Sequence, residues 1–416
     1  MQEAAPTSQK RAAFALGLLT LAYTLNFLDR QIVNILLVPI QQEFGVSDTA
    51  MGALAGICFA LLFTVAGIPI ARWADRGVRR DILALGLCCW SAMTACCGLA
   101  GSFVQLAAAR VGVGIGEASC VPAAHSLISD LYPRERRTAA LAVFSSGIHV
   151  GILCGLVLGG WIAQHHGWRT AFVVAGLPGL LLALVLRVAL REPPRVDAPA
   201  AAESSGLRAS IAELLRQRRF LLLAGAATCT SVVGYGFSAW NPALLARVHH
   251  MQTGEIGLWL GLISGGGGAV GAILFGWLAQ RLARQHPERL LAVPACALGA
   301  ALLFYAAYLL CPTRESALWI LLGAHVCAAS WFGPVFAATQ NAVPPQRRAL
   351  AASVLLLMVT LVGLGLGPTL VGFLNDQFRP ALQEHAVARS LLVLLVFELG
   401  AVGCLVRAVL DESRGR

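Results

Sequence analysis

Charge is scarce in this sequence. Only 12% of its 416 residues are charged, 57% are hydrophobic, and the mean hydropathy is +0.73. A soluble globular chain carries about 25% charged residues, so half that figure excludes an ordinary water-facing domain. The twelve cysteines include no C-x-x-C pair and no histidine at ligand spacing. Most, such as Cys88, Cys89, Cys96 and Cys97, lie inside apolar runs and read as small hydrophobes rather than as metal ligands or a disulfide frame. A nucleophile elbow, an H-E-x-x-H motif, an acidic metal cluster and a selectivity-filter sequence are all missing. That leaves no catalytic residue, metal or cofactor to name, and argues against an enzyme or a channel. Three glycine patterns imitate phosphate loops: Gly112-x-Gly114-x-Gly116, Gly265 to Gly268, and Gly363-x-Gly365-x-Gly367. None follows a strand and all lie in apolar runs, where small residues let helices approach closely in lipid.

The apolar runs themselves are long. A helix needs about 20 apolar residues to cross the hydrocarbon core. Twelve such stretches are present, at 12–40, 50–71, 81–100, 102–126, 138–163, 170–190, 220–246, 254–280, 289–311, 315–343, 349–374 and 388–410. Each must be a helix, because an isolated strand cannot satisfy its backbone in lipid. The expected class is therefore an all-α polytopic membrane protein. The first stretch follows Lys10 and Arg11 but is too long for a signal-peptide core and lacks a small-residue cleavage site, so it reads as a retained first helix. With the N-terminus inside, 24 of the 31 Lys and Arg fall in cytoplasmic segments and five outside, leaving Arg30 and Arg110 within helices. This is the positive-inside bias. It accounts for the net charge of +10 without nucleic acid, and predicts a multi-pass protein of a bacterial inner membrane with both termini cytoplasmic.

The chain repeats itself. Pro133-Arg134-Glu135-Arg136-Arg137 recurs as Pro344-Pro345-Gln346-Arg347-Arg348, and Ala74-Asp75-Arg76 as Ala279-Gln280-Arg281. Gly151, Gly155 and Gly159-Gly160 are matched by Gly363, Gly367 and Gly372. The expected organisation is a six-helix half at 1–191, a cytoplasmic linker at 192–219 rich in Arg, Pro, Ala and Ser, and a second six-helix half at 220–416. Repeated halves with a site at their interface are a common transporter plan.

Four residues should not be in a membrane: Asp29 and Arg30 in the first helix, Arg110 and Glu117 in the fourth. Each costs about 2.5–3.5 kcal/mol at mid-bilayer, so such groups face partners or a wet cavity. Arg110 and Glu117 are two turns apart on one face, roughly 10 Å. Asn26 and Asn34 extend the polar stripe of the first helix. Two acids and two bases form a compensated network that suits proton carriage by Asp29, Glu117 and Arg110, while a static charge network remains the plain alternative. Arg30 also offers a planar fork for a phosphate or carboxylate. Glu398 in the last helix, with no obvious partner, reads as structural. His149 and His325 are titratable but read first as packing residues. Tyr235, Trp240 and Asn241, with Trp331 and Gln340, offer aromatic and polar surface for a ligand.

Ala71-Arg72-Trp73-Ala74-Asp75-Arg76-Gly77-Val78-Arg79-Arg80 resembles the loop motif between helices two and three of the major facilitator superfamily, with Ala71 and Val78 in place of its first and inner glycines. That resemblance implies the major facilitator fold of twelve helices in two pseudo-symmetric halves, and a cytoplasmic gate latched by Asp75, Arg76 and Arg80. Asn26-Phe27-Leu28-Asp29-Arg30, Arg110 to Ser119, and Asp130-Leu131-Tyr132 are most similar to bacterial relatives of the spinster lipid transporters. What they imply is proton-linked transport of lysolipids or sphingoid phosphates, driven by the proton gradient, in a monomer surrounded by membrane lipid. His149 departs from that pattern, where a Pro usually precedes the Val-Gly. Organic-anion symporters of the superfamily carry the same four charges. Gly151-x-x-x-Gly155-Leu156-x-x-Gly159-Gly160 resembles the antiporter motif with Leu156 replacing its Pro. A small organic acid symporter and a drug/proton antiporter therefore stand as alternatives. Asn26, Arg30, His149, Tyr235, Asn241 and Trp331 are the expected solute-binding residues.

Overall fold

In the computed structural model the described residues are 9–194, 207–344 and 347–414. The ends of the chain, residues 195–206 of the expected linker, and Pro345-Gln346 of the second repeat motif lie outside them. The described residues form helices and their connections, with no strand. Ten helical stretches are long and apolar enough to cross a membrane. The sequence predicts twelve, and the difference lies in the two longest. One is α7 (Arg134–Ala189), broken at Gly167 (φ 81°, ψ 160°). The other is the stretch Leu350–Asp411, broken at Gln383 (φ 48°). A positive φ reverses the chain where a helix cannot continue, so each break supplies the turn of a hairpin.

Other helices also break in the span. The stretch predicted at 50–71 is α2 (Asp48–Ala55) and α3 (Ile57–Arg76), parted at Gly56 (φ −109°, ψ −98°). α1 (Gln9–Phe44) is continuous and α4 covers Arg79–Gly98. The fourth stretch is α5 (Phe103–Glu117) and α6 (Cys120–Leu131), parted at Ala118-Ser119. In the second half α8 (Leu207–Arg216) precedes α9 (Arg218–Arg247). α10 (Thr253–Leu260) passes through a π-helical turn at Gly261–Gly267 into α11 (Gly268–Gln285). α12 is Ala292–Leu310. The tenth stretch is α13 (Arg314–Ala328) and α14 (Phe332–Asn341), parted at Ala329 to Trp331, 211 residues beyond the break in the fourth. α15 (Arg348–Met358) runs through a π turn at Val359–Leu364 into α16 (Gly365–Leu382), and α17 (Ala386–Arg414) ends the fold.

Two compact units result. Unit 1 is Met1–Phe44, Cys58–Glu203 and Thr253–Leu258; unit 2 is Gly45–Ile57, Ser204–Gln252 and Trp259–Arg416. Inside unit 1, α7 packs on α1 so closely that a Cβ at Gly155 would lie 2.8 Å from the carbonyl oxygen of Leu28. Inside unit 2, Gly363 plays that part, where a Cβ would lie 2.5 Å from the Ser231 side chain of α9. Lipid gives helices little hydrophobic reason to associate, so small residues that bring backbones together supply the packing. Outward positions are apolar as lipid requires: Leu99, Val104, Val188, Ile273 and Leu303 are all more than two-thirds exposed. The amphipathic α8 is pinned to unit 2 by Leu214, buried with Phe220, Val335 and Leu355. Its Glu213 pairs with Arg347 at 2.6 Å, and that hydrogen bond holds the Glu213 carboxyl below its ordinary range.

Candidate functional site

The four intramembrane charges converge in unit 1. Glu117 is the last residue of α5, where the helix dipole presents its negative end and an anion is disfavoured. Arg30 of α1 compensates: its Nε donates to Glu117 Oε2 at 2.6 Å, and the acid's side chain is fully buried. Three phenylalanine rings box the Arg30 guanidinium, Phe27 at 5.2 Å, Phe59 at 5.1 Å and Phe63 at 4.8 Å. Aromatic faces attract a cation most where water is excluded. Arg110 lies 5.5 Å over the Phe59 ring and donates from Nη1 to the main-chain carbonyl of Asp29 at 3.2 Å. The second pairing is thus made through the backbone of Asp29. Asp29 Oδ1, Glu117 Oε1, Arg110 Nε and both amide atoms of Asn26 are buried with no hydrogen-bond partner among the described residues. Buried polar groups normally have partners, so this cluster holds unused donors and acceptors of both signs.

The other expected site residues scatter. Asn34 turns to a local bond, donating to Gln31 at 3.0 Å. His149 of α7 is half-buried with its Nδ1 unpartnered. In unit 2, Asn241 is buried and accepts from the Tyr308 hydroxyl at 3.3 Å, and Trp240 donates to the carbonyl of Pro368 at 2.9 Å. Trp331 packs edge-on against Phe332 at 5.4 Å beside the core of α9, α14 and α15. Tyr235 is half-buried on α9. His325 donates from Nδ1 to the Leu321 carbonyl at 3.1 Å.

In the loop motif the structure singles out a residue that sequence reasoning passed over. Asp75 and Arg76 are exposed. Arg79, the first residue of α4, is 1% exposed. Its guanidinium pairs with Asp130, with Glu192 at 2.7 Å, with the Ser126 hydroxyl at 3.1 Å and with the Pro193 carbonyl at 3.0 Å. Glu192 in turn accepts the main-chain N–H of Arg80 at 2.9 Å, a carboxylate capping a helix N-terminus. Arg80 itself donates to its neighbour Asp81 at 2.7 Å. Asp130 stands in the Asp130-Leu131-Tyr132 motif and Glu192 at the start of the expected linker; nothing in the spacing showed that they meet one arginine.

A second missed constellation closes the start of α2 inside unit 2. Arg247 at the end of α9 holds Asp48 with two bonds, 2.6 and 2.9 Å. Asp376 of α16 accepts the N–H of Asp48 at 3.0 Å, the N–H of Thr49 at 2.8 Å and the Thr49 hydroxyl at 2.5 Å. Unit 1 holds the start of α10 in the same way with neutral groups. There Gln164 Oε1 accepts the N–H of Gly254 at 2.8 Å.

Known proteins resemble this arrangement along nearly all of its length. The profile of the Major Facilitator Superfamily matches residues 19–381. An MFS-type efflux pump of Mycolicibacterium smegmatis is 36% identical over 417 residues, covering 97% of this chain and 96% of that protein. A sphingosine-1-phosphate transporter of Xenopus tropicalis is 30% identical, covering 88% of this chain and 74% of its own. Among solved structures, a bacterial homolog of the human lysosomal transporter Spinster, in an inward-facing and unoccupied conformation, is 31% identical with a TM-score of 0.88, covering 97% of this chain and 98% of that one. The chain therefore belongs to the Major Facilitator Superfamily, as a multi-pass membrane transporter, not an enzyme, related to the spinster-type transporters.

Proposed function

We propose that this protein is a proton-coupled secondary transporter that works by alternating access and moves an amphipathic, anionic, lipid-like solute of the lysolipid or sphingoid-phosphate type. The observation that carries the reading is the set of buried Asp29, Arg110 and Glu117 with the half-buried Arg30, which keeps unpartnered polar atoms on both acids and on Arg110. A proton on Glu117 removes the charge that Arg30 answers, and leaves a planar guanidinium in an aromatic box for a phosphate or carboxylate to take. Proton and anion binding are then coupled through one ion pair. Asn26 and His149 stand on the helices that carry or pack against this set, and we assign them, with Tyr235, Asn241 and Trp331, to the solute path. The name carried by the Xenopus relative, a sphingosine-1-phosphate transporter, supports the choice of solute class.

The same reading takes the halves 1–191 and 220–416, joined by the linker 192–219, as the bodies that alternate. It takes Asp75, Arg76 and Arg80, together with the buried Arg79, as the cytoplasmic gate. The protein acts as a monomer in a bacterial inner membrane with both termini cytoplasmic, as the distribution of Lys and Arg supports. A second reading, a drug/proton antiporter, is favoured by the efflux-pump name of the Mycolicibacterium smegmatis relative. Proteoliposome flux measurements decide between coupling and its absence. Asp29→Asn and Glu117→Gln each keep shape and remove a titratable group, so each is expected to abolish proton-coupled flux while solute counterflow and folding survive. Full coupling in both variants defeats the assignment. Thermal stabilisation by lysolipids, by small organic acids or by hydrophobic cations then separates the solute classes.

A further inference from the structure

Glu398 lies outside everything assigned so far. It stands twelve residues into α17, near the middle of a membrane span, and is 1% exposed. Both of its carboxyl oxygens are buried with no hydrogen-bond partner among the described residues. Thr230 of α9 faces it, and the Thr230 hydroxyl is itself buried and unpartnered. Cys229 of α9 and Tyr305 of α12 also lie near it. Behind Tyr305, the His325 ring of α13 sits edge-on at 6.0 Å. Neither α16, which also packs on α17, nor α9 or α12 brings a cation to it. On α17 itself the nearest cations are Arg389 and Arg407, nine residues away on either side, about 13 Å along the helix.

A carboxyl kept only for packing would be expected to spend its oxygens on hydrogen bonds, and this one does not. An ionised carboxylate without a cation is costly to hold in a span. The group that meets neither objection is a carboxyl that takes up a proton. We propose that Glu398 is a second proton-binding site of this protein, set in unit 2 between α9, α12 and α17. α9 carries Thr230 at this site and Arg247 at the latch on Asp48, so one helix touches both. The place of Glu398 in the transport cycle rests on the proton-coupled reading above. Its capacity to bind a proton does not.

The test uses the purified full-length protein in lipid nanodiscs. Infrared difference spectra between acidic and alkaline buffer should show a protonated-carboxyl carbonyl band that is lost in Glu398→Gln. Dicyclohexylcarbodiimide, which attacks protonated carboxyls in apolar surroundings, should modify Glu398 in the wild type, located by peptide mass spectrometry. The modified fraction should fall about tenfold per pH unit once pH exceeds the group's titration point. The proposal is overturned if band and adduct are both missing, or if the adduct is insensitive to pH. It is also overturned if sodium at fixed pH protects Glu398 while pH does not, since the site then takes a metal cation. Asp29→Asn and Glu117→Gln report separately: full coupling in those two defeats the reading of unit 1 and leaves the Glu398 result standing.

Discussion

The ion pair between Arg247 and Asp48 should govern how firmly the start of α2 is held in unit 2. The Asp48 side chain is 1% exposed and that of Arg247 17%, and the guanidinium also lies 5.8 Å from the Trp240 ring. Removing one partner of a fully buried pair costs about 3–5 kcal/mol, because the other charge is stranded. Residual access of Arg247 to solvent reduces this to roughly 2–3 kcal/mol for Arg247→Gln. Converted to a local opening equilibrium, that is roughly a 30- to 150-fold increase. Hydrogen–deuterium exchange of the peptide covering 45–57 reads it directly: Met51 and Gly56 donate their N–H groups within this turn, to Ser47 at 3.2 Å and Gly52 at 2.9 Å. Exchange of α12, which the latch does not touch, should not change. Asp48→Asn combined with Arg247→Gln should cost less than the sum of the single changes, since neither charge is then stranded. Unchanged exchange at 45–57 in Arg247→Gln would refute the reasoning.

Two further outcomes follow from the site geometry. Arg79→Lys keeps the charge but cannot span Asp130, Glu192, Ser126 and Pro193 at once; it should lower the melting temperature and expose 190–194 to proteases, and resistance equal to wild type would show the fork is dispensable. Arg30→Lys and Arg110→Lys should weaken solute affinity if the solute is anionic; if the two arginines only hold the acids, affinity stays and the pH profile of transport moves instead, so both are measured together.

Much of this was legible in the sequence because lipid makes some errors expensive. Apolar length announces a span, and a charge inside one announces a function, which is why Asp29, Arg30, Arg110 and Glu117 could be picked out from composition and spacing. Aromatic residues carry no such signal: Phe59 and Phe63 read as filler in an apolar helix, yet they form the Arg30 box. Charges at span ends are equally silent. Asp48, Arg247 and Asp376 sit where flanking charges are ordinary, and only the contacts of α2 with the end of α9 and with α16 give them a role. Within the loop motif, the double arginine was visible, but burial chose Arg79 for the network with Asp130 and Glu192. The turns at Gly167 and Gln383 fall in the gaps between predicted stretches, whereas the break at Gly56, inside the stretch 50–71, was hidden for a related reason. Hydropathy averages over a window, whereas a break is decided by one residue's backbone angles.

The repeat seen in the sequence is also a repeat of contacts, and a difference in charge between its two copies is informative. Each unit contains the opening turns of a helix from the other half of the chain, Gly45–Ile57 in unit 2 and Thr253–Leu258 in unit 1. Thr253 is 205 residues beyond Asp48, and Gly257 is 205 beyond Gly52. Gly52 presses on the carbonyl of Pro368 and Gly257 on that of Leu156, which is 212 residues earlier than Pro368. Gly372 meets the carbonyl of Asp48, and Gly160, again 212 earlier, that of Thr253. The Thr49 N–H reaches Asp376 at 2.8 Å, while Gly254, 205 beyond Thr49, reaches Gln164, 212 before Asp376, also at 2.8 Å. The two contacts match in place and length and differ in charge. A charge-assisted hydrogen bond is roughly twice as strong as a neutral one, a difference of about 1–1.5 kcal/mol here. Asp376→Asn should therefore speed exchange at 45–57 about 5- to 12-fold and bring it toward the rate at 253–258. Gln164→Ala should loosen 253–258 and leave 45–57 alone. If Asp376→Asn exchanges like wild type, the charge on Asp376 contributes nothing to holding the start of α2.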